Sequence, residues 1–177
     1  MFAFYNKVIL PRLLNRSMRQ PWIQALRREV LRDAHGEILE IGFGSGLNLS
    51  YYPSSVRALT AIDPNAELHA LAAEQERSSG KTVEFVLGTA ERLPFPDASF
   101  DTVVSAWTLC SMPQPDVALK EVFRVLKPEG TFLFVEHGVS PVPFIYGWQK
   151  RLTPLWKHLA GGCHLDRDVH SLVDSAG

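Results

Sequence analysis

Three glycines at spacing two, Gly42, Gly44 and Gly46, follow directly on the apolar run Ile38-Leu39-Glu40-Ile41. Such a run reads as a buried strand. Glycine after it lets the backbone turn tightly and come close to a ligand that a Cβ would hold off. Asp63 stands seventeen residues beyond Gly46, at the end of a second apolar strand running from Ala58 to Ile62. A carboxylate at the tip of the second strand of a βαβ unit accepts hydrogen bonds from the two hydroxyls of a ribose. The two features together predict a ligand with a nucleoside part lying across these strand ends. A βα turn that binds nothing is the plain alternative, since glycine-rich turns after strands are common.

Spacing narrows the ligand. The dinucleotide fingerprint is Gly-x-Gly-x-x-Gly, whose third glycine allows close packing of helix on strand. Here the third glycine falls one place early, Leu47 sits where a small residue is wanted, and Glu40 precedes the first glycine by two. Strand, acidic residue, one residue, then Gly-x-Gly-x-Gly resembles the first motif of the class I methyltransferases that use S-adenosylmethionine. Gly88-Thr89-Ala90-Glu91-Arg92-Leu93-Pro94-Phe95, continuing to Ser99-Phe100-Asp101, resembles a segment of their quinone-biosynthesis-like branch, and so does Val125-Leu126-Lys127-Pro128-Glu129-Gly130. Three further features resemble the alkyl-thiol methyltransferase-related proteins: Glu136-His137, Leu109-Cys110-Ser111 and Ala160-Gly161-Gly162-Cys163. The resemblance spans roughly residues 36–138.

What the resemblance implies can be placed residue by residue. Gly42, Gly44 and Gly46 would line the methionine part of the cofactor, and Glu40 would help hold its ammonium, directly or through water. Asp63 would take the ribose. Thr89, Ala90 and Glu91 would meet the adenine, and Ser105 to Trp107 would pack beside the methionine tail, with Trp107 equally readable as pocket wall. Thr89 is a departure, because the family usually has Asp there to accept from the adenine amino group. His137 is the candidate base, since its ordinary pKa suits proton removal near neutral pH; a histidine that merely caps strand and loop is the other reading. Cys110 either contacts the acceptor or is a small buried residue. His158, Cys163, His164, Asp166 and His170 match no usual zinc spacing, so no metal is expected there. That late segment is implied to be part of the wall on the acceptor side.

These groups need a scaffold, and the pattern supplies one. Strands alternate with helical segments, which predicts an α/β fold: a Rossmann-like, doubly wound, mostly parallel sheet with helices on both faces. Strands are expected over Val83 to Leu87, Thr102 to Ser105 and Thr131 to Glu136. Leu119, Val122, Phe123 and Leu126 fall at i, i+3, i+4, i+7 and mark a core-facing helix, entered after Pro113 and Pro115 and ended by Pro128. Residues 143–160 and 166–176 read as helix. The family's C-terminal strand pair is absent from this sequence, so strand five is expected at a sheet edge. A truncated form, a short variant or a homodimer covering that edge would each fit.

The 177 residues suggest one globular unit over 35–177, preceded by a helical lid over 1–34. Net charge is −1 overall, yet residues 1–32 carry Lys7, Arg12, Arg16, Arg19, Arg27, Arg28 and Arg32 against Glu29 alone, leaving +6 there and −7 elsewhere. This segment reads as a lid over the cofactor, or as a surface that touches an anionic membrane through residues 1–20. The acidic body argues against nucleic acid. No run of about 18 apolar residues occurs, no secretory cleavage site is evident, and two cysteines do not make a disulfide framework, so a cytoplasmic setting is expected. The functional expectation is methyl transfer from S-adenosylmethionine to a small apolar acceptor, a thiol, phenol or quinone precursor. The alternative is a non-catalytic binder of that cofactor or of S-adenosylhomocysteine. A nicotinamide oxidoreductase is disfavoured by the glycine spacing.

Overall fold

The computed structural model describes residues 10–177. Two helices come first, α1 (Leu10–Ser17) and α2 (Pro21–Leu31). There follow β1 (Ile38–Ile41), β2 (Ala58–Asp63), α3 (Ala66–Ser79), β3 (Thr82–Leu87), β4 (Phe100–Ala106), α4 (Pro115–Val125), β5 (Leu126–Val135), α5 (Pro143–Leu159) and α6 (Val169–Ala176). Local chemistry sets several of the ends. Asn65 caps α3 by accepting from the Glu67 N–H, Gly80 closes it in the left-handed conformation, and Asp168 caps α6 through the Ser171 N–H. The first part of the basic N-terminal segment, residues 1–9, lies outside the described residues, and with it nearly half of the segment expected to touch a membrane.

The sheet is parallel throughout, in the order β3-β2-β1-β4-β5. The chain winds outward from β1 to β3, returns to the other side of β1 for β4, and winds outward again. Strand order therefore reverses between β1 and β4, and the crevice beyond their C-terminal ends is where such sheets bind ligands. Alternation along the central strands builds two cores. Leu39 and Ile41 of β1, Ile62 of β2 and Val103 of β4 pack with Leu119 and Val122 of α4 and Val169 of α6. Ile38, Ala61 and Val104 face the other way, with Leu31 of α2 and Ala72 of α3. Every β1 position is buried, as a central parallel strand between two helix layers must be.

Two boundaries move relative to the sequence expectation. α4 ends at Val125 rather than at Pro128, because Leu126 already pairs with Phe100. The ladder then shifts register and resumes with Thr102 opposite Thr131. Proline has no N–H to give a ladder, and the excursion through Lys127, Pro128, Glu129 and Gly130 accommodates it. β5 stands at a sheet edge, as expected, with β3 at the other. Among the described residues no helix is long and apolar enough to cross a membrane.

Candidate active site

The glycine turn and Asp63 form one unit. Gly42, Gly44 and Gly46 all have positive φ, +69°, +57° and +72°, a region that glycine enters without penalty. At Gly42 a Cβ would collide with the Thr108 side chain, so this glycine also lets the turn seat against the loop after β4. At Gly44 a Cβ would meet nothing within 4 Å. That glycine faces open space, where a ligand would lie. The Gly44 N–H donates to Asp63 Oδ2 (2.9 Å) and the Asn65 N–H to Asp63 Oδ1 (2.8 Å). Burial raises the Asp63 pKa, and these two N–H donors work against the rise. A carboxylate offers about four lone-pair positions, so two remain for the hydroxyls of a ribose. An open cleft lined by Pro64, Asn65, Ala66 and Glu67 begins where Asp63 ends β2. The residues present thus fit the nucleoside end of S-adenosylmethionine.

Glu40 lies behind this turn and is fully buried. Its Oε1 accepts from Asn48 Nδ2 (2.9 Å) and its Oε2 from the Tyr52 hydroxyl (2.7 Å). Asn48 Oδ1 in turn accepts from Arg27 Nε (2.8 Å), Arg27 Nη1 donates to the Met18 carbonyl (2.6 Å), and the Arg27 guanidinium sits 4.7 Å over the Trp107 ring. Burial pushes the Glu40 carboxyl up to about 7 against the pull of Tyr52 and Asn48, and burial also lowers the Arg27 pKa. Each Glu40 oxygen accepts one bond from the chain itself, and through Asn48 and Arg27 the residue braces the turn against α2. Asn48, Tyr52 and Arg27 were not singled out as site residues by sequence reasoning. α1 reaches the turn directly, where Ser45 Oγ donates to Asn15 Oδ1 (3.0 Å).

Thr89, Ala90 and Glu91 follow β3 in a loop that begins beside Asp63, since the Gly88 N–H donates to the Asp63 carbonyl (3.2 Å). Thr89 is exposed, Ala90 buried and Glu91 half-buried. The loop is held from α4. Glu121 Oε2 accepts from the Leu93 N–H (2.9 Å), and Arg124 donates to the carbonyls of Leu93 and Phe95 and to Asp97 Oδ1 at 3.0, 2.8 and 2.7 Å.

The opposite wall is organised by Glu136. Its Oε1 accepts from Ser105 Oγ (2.9 Å) and from the N–H groups of Thr108 (2.8 Å) and Leu109 (2.9 Å), and its Oε2 from the Cys110 N–H (3.1 Å). Three consecutive backbone donors turned on one anion form a nest. Trp107, just before them, has φ +54°, a conformation that a large side chain holds only when its surroundings enforce it. Arg167 Nη1 ties down the same loop through the carbonyls of Leu109 (2.5 Å) and Met112 (2.8 Å).

Cys110, His137 and Cys163 meet at the end of this wall. His137 Nδ1 is 4.0 Å from Cys110 Sγ and 3.7 Å from Cys163 Sγ. Both cysteines are buried, and the histidine is exposed. Donation from Cys110 holds the Cys163 thiol down at about 7, while Cys110 itself is pushed up by that bond and by burial. The hydrogen bond with Cys110 raises the His137 pKa. Of the late residues grouped by sequence, His164 and Asp166 stay near each other at 3.8 Å, His170 packs on the Phe134 ring at 5.5 Å, and Cys163 leaves them for His137. Tyr146 and Lys150 of α5 stand at the Tyr-x-x-x-Lys spacing of nicotinamide oxidoreductases. They lie on an exposed flank, with Lys150 Nζ 5.2 Å over the Tyr146 ring, on a different element from the glycine turn.

A parallel sheet whose strand order reverses beside a glycine turn and an acidic strand end defines a Rossmann-like fold. The comparisons agree. Residues 39–134 match the methyltransferase domain family. The human thiol S-methyltransferase TMT1B is 32% identical over 187 residues, covering 99% of this chain and 74% of that protein. Its rat counterpart is 35% identical, covering 78% of this chain and 58% of that protein. The ubiquinone/menaquinone biosynthesis C-methyltransferase UbiE of Rubrivivax gelatinosus is 33% identical over 70% of this chain and 48% of its own length. Among solved structures, the YcgJ protein of Bacillus subtilis superposes with a TM-score of 0.70 at 25% identity, covering 86% of this chain and 66% of that one. The chain belongs to the class I S-adenosylmethionine-dependent methyltransferases, and it spans about half the length of several of the curated relatives it matches.

Proposed function

We propose that this chain transfers the methyl group of S-adenosylmethionine to the sulfur of a small apolar thiol. The carrying observation is that the loop bearing Cys110 seats on the glycine turn, where Thr108 Oγ1 donates to the Gly42 carbonyl (3.4 Å), while Cys110 itself gathers with His137 and Cys163. S-Adenosylmethionine supplies a methyl group already activated on a sulfonium. The chain's task is then to position the acceptor in line, exclude water and take away a proton. In balanced form, the acceptor sulfur gives an electron pair to the methyl carbon and the carbon–sulfonium bond breaks. S-Adenosylhomocysteine leaves, and the thiol proton passes to solvent beside the exposed His137. Asp63 holds the ribose, the 89–91 loop the adenine, and Trp107 with Arg27 forms the wall beside the reacting carbon. α1, resting on Ser45 through Asn15, serves as a lid. The thiol assignment draws support from the TMT1B match, which runs over 99% of the chain and so includes the segment carrying Cys163.

Calorimetry with S-adenosylhomocysteine and, separately, NAD tests the cofactor, and mass spectrometry of reactions with an alkyl thiol, a phenol and a hydroquinone tests the acceptor. Micromolar binding of the first ligand alone and a methyl thioether product are expected. Faster turnover of the phenol or hydroquinone overturns the sulfur assignment. Binding with no turnover of any acceptor favours the non-catalytic reading.

A further inference from the structure

Cys110, His137 and Cys163 come from three separate loops, those after β4, β5 and α5, yet their three ligand atoms lie within 4.8 Å of one another. Both sulfurs converge on the same nitrogen, His137 Nδ1, at 4.0 and 3.7 Å. Tetrahedral zinc with Zn–S of about 2.3 Å and Zn–N of about 2.0–2.1 Å requires S···N edges of about 3.6 Å and an S···S edge of about 3.8 Å. The S···N spacings lie within a few tenths of an ångström of these edges, and the two sulfurs, within 4.8 Å of each other, need to close by at most about 1 Å. A disulfide would use the two sulfurs and leave the imidazole, which sits between them in reach of both, without a part.

The three loops are also tied to one another. The Cys110 N–H is fixed by Glu136, whose neighbour is His137, and the Cys110 carbonyl accepts from the His164 N–H (2.9 Å) next to Cys163. Gly162, at φ +92°, packs against the Ser111 carbonyl so closely that a Cβ would be crowded at 3.0 Å. Ligands anchored by second contacts of this kind are what a metal site requires.

We propose that Cys110 Sγ, His137 Nδ1 and Cys163 Sγ bind one zinc ion at the acceptor end of the crevice, with its fourth position open to the sulfur of the acceptor thiol. The fourth-ligand part rests on the methyltransferase reading above; the metal site does not. Two thiolates and an imidazole are a donor set suited to zinc, and three protein ligands with one open position are the arrangement of catalytic rather than structural zinc. A thiol that enters the fourth position gives its proton to solvent and is held as thiolate. Its sulfur then attacks the methyl carbon while the carbon–sulfonium bond breaks, and the neutral thioether leaves. His137 acts as a ligand in this scheme and not as a base.

Cobalt(II) titration of the reduced full chain provides the test, with both thiols first counted by a disulfide reagent. One cobalt per chain is expected, with thiolate charge-transfer absorption in the near ultraviolet and the intense visible bands of a tetrahedral centre, all displaced by zinc. Cys163→Ser and His137→Gln should each weaken binding by about 100-fold or more. Circular dichroism and S-adenosylhomocysteine binding on the same samples show whether each variant is folded. Adding an alkyl thiol should shift the visible bands; bands that do not move overturn the open fourth position. No stoichiometric cobalt uptake by the reduced chain, or uptake that survives both substitutions, overturns the metal site. Failure to bind S-adenosylhomocysteine while cobalt still binds sinks the methyltransferase reading and leaves the metal site standing.

Discussion

The nucleoside end of the proposed crevice is built of backbone and one carboxylate: a turn of three positive-φ glycines, and Asp63 held by the N–H groups of Gly44 and Asn65. The proposed acceptor end is built of side chains gathered from distant loops, namely Trp107, Cys110, His137 and Cys163, with Glu136 fastening the loop that carries two of them. The first end has little freedom to vary, because a Cβ would disturb either the turn or the space in front of it. The second end can change its chemistry by side-chain substitution while the sheet stays as it is. The contrast teaches where to look for each property: cofactor identity in backbone conformation, acceptor identity in the loops after β4, β5 and α5.

If that division is right, single substitutions should separate along it. The largest effect is expected from Asp63→Ala. It removes the acceptor of two ribose hydroxyls, each a charge-assisted bond worth about 1.5–3 kcal/mol, so S-adenosylhomocysteine should bind roughly 100-fold more weakly or worse. Calorimetry reads this directly. A variant that keeps its cofactor affinity and loses only acceptor turnover would break the division.

Glu136→Ala should come next and act on the other side. Three backbone N–H groups and the Ser105 hydroxyl lose their common acceptor, and about 2–4 kcal/mol of stability should go with them. Urea unfolding measures it. Glu136→Gln, which keeps an acceptor oxygen without the charge, should recover part of the loss; a change below about 0.5 kcal/mol in the alanine variant would mean the loop has other anchors.

Glu40 tests the brace behind the turn through pH. Its folded pKa is raised from 4.5 to about 7, so the fold holds a proton there that the unfolded chain releases. The associated stability is fully present below about 4.5 and is lost as pH rises through 7. The unfolding free energy of the wild type should therefore fall across that window by about 3 kcal/mol relative to Glu40→Gln, which has no proton to lose. Parallel pH profiles for the two proteins would show that the carboxyl is not held neutral.

The same division explains what could be read in advance. Gly42, Gly44, Gly46 and Asp63 were legible because a positive-φ turn demands glycine and the βαβ unit fixes the distance to the next strand end. The strand and helix order was legible because a buried parallel sheet writes continuous apolar runs. The end of α4 at Val125 was not, since pairing of Leu126 with Phe100 is a tertiary event that outweighs the signal of Pro128. That Glu40 braces the turn was not legible, because its partners Asn48, Tyr52 and Arg27 carry no spacing that announces them. Cys110, His137 and Cys163 could not be grouped from sequence for the same reason, while of the residues close in the chain His164 and Asp166 stay together and His170 packs apart on Phe134.

Thr89 offers the finest probe of the nucleoside end, because it is the one place where this chain departs from the family's usual carboxylate. Its side chain is exposed, and the loop behind it is held by Glu121 and Arg124 through Leu93, Phe95 and Asp97. Thr89→Asp therefore disturbs no packing and should leave the unfolding midpoint unchanged. What it adds is a charge-assisted acceptor for the adenine amino group, about 1 kcal/mol or a three- to tenfold gain in S-adenosylhomocysteine affinity. A gain of that size places the adenine against residue 89. An unchanged affinity, together with a loss in Glu91→Gln, moves that contact two residues along the loop. The carboxylate missing at Thr89 would then be supplied by Glu91, and the adenine end, like the acceptor end, would be set by a side chain rather than by the backbone.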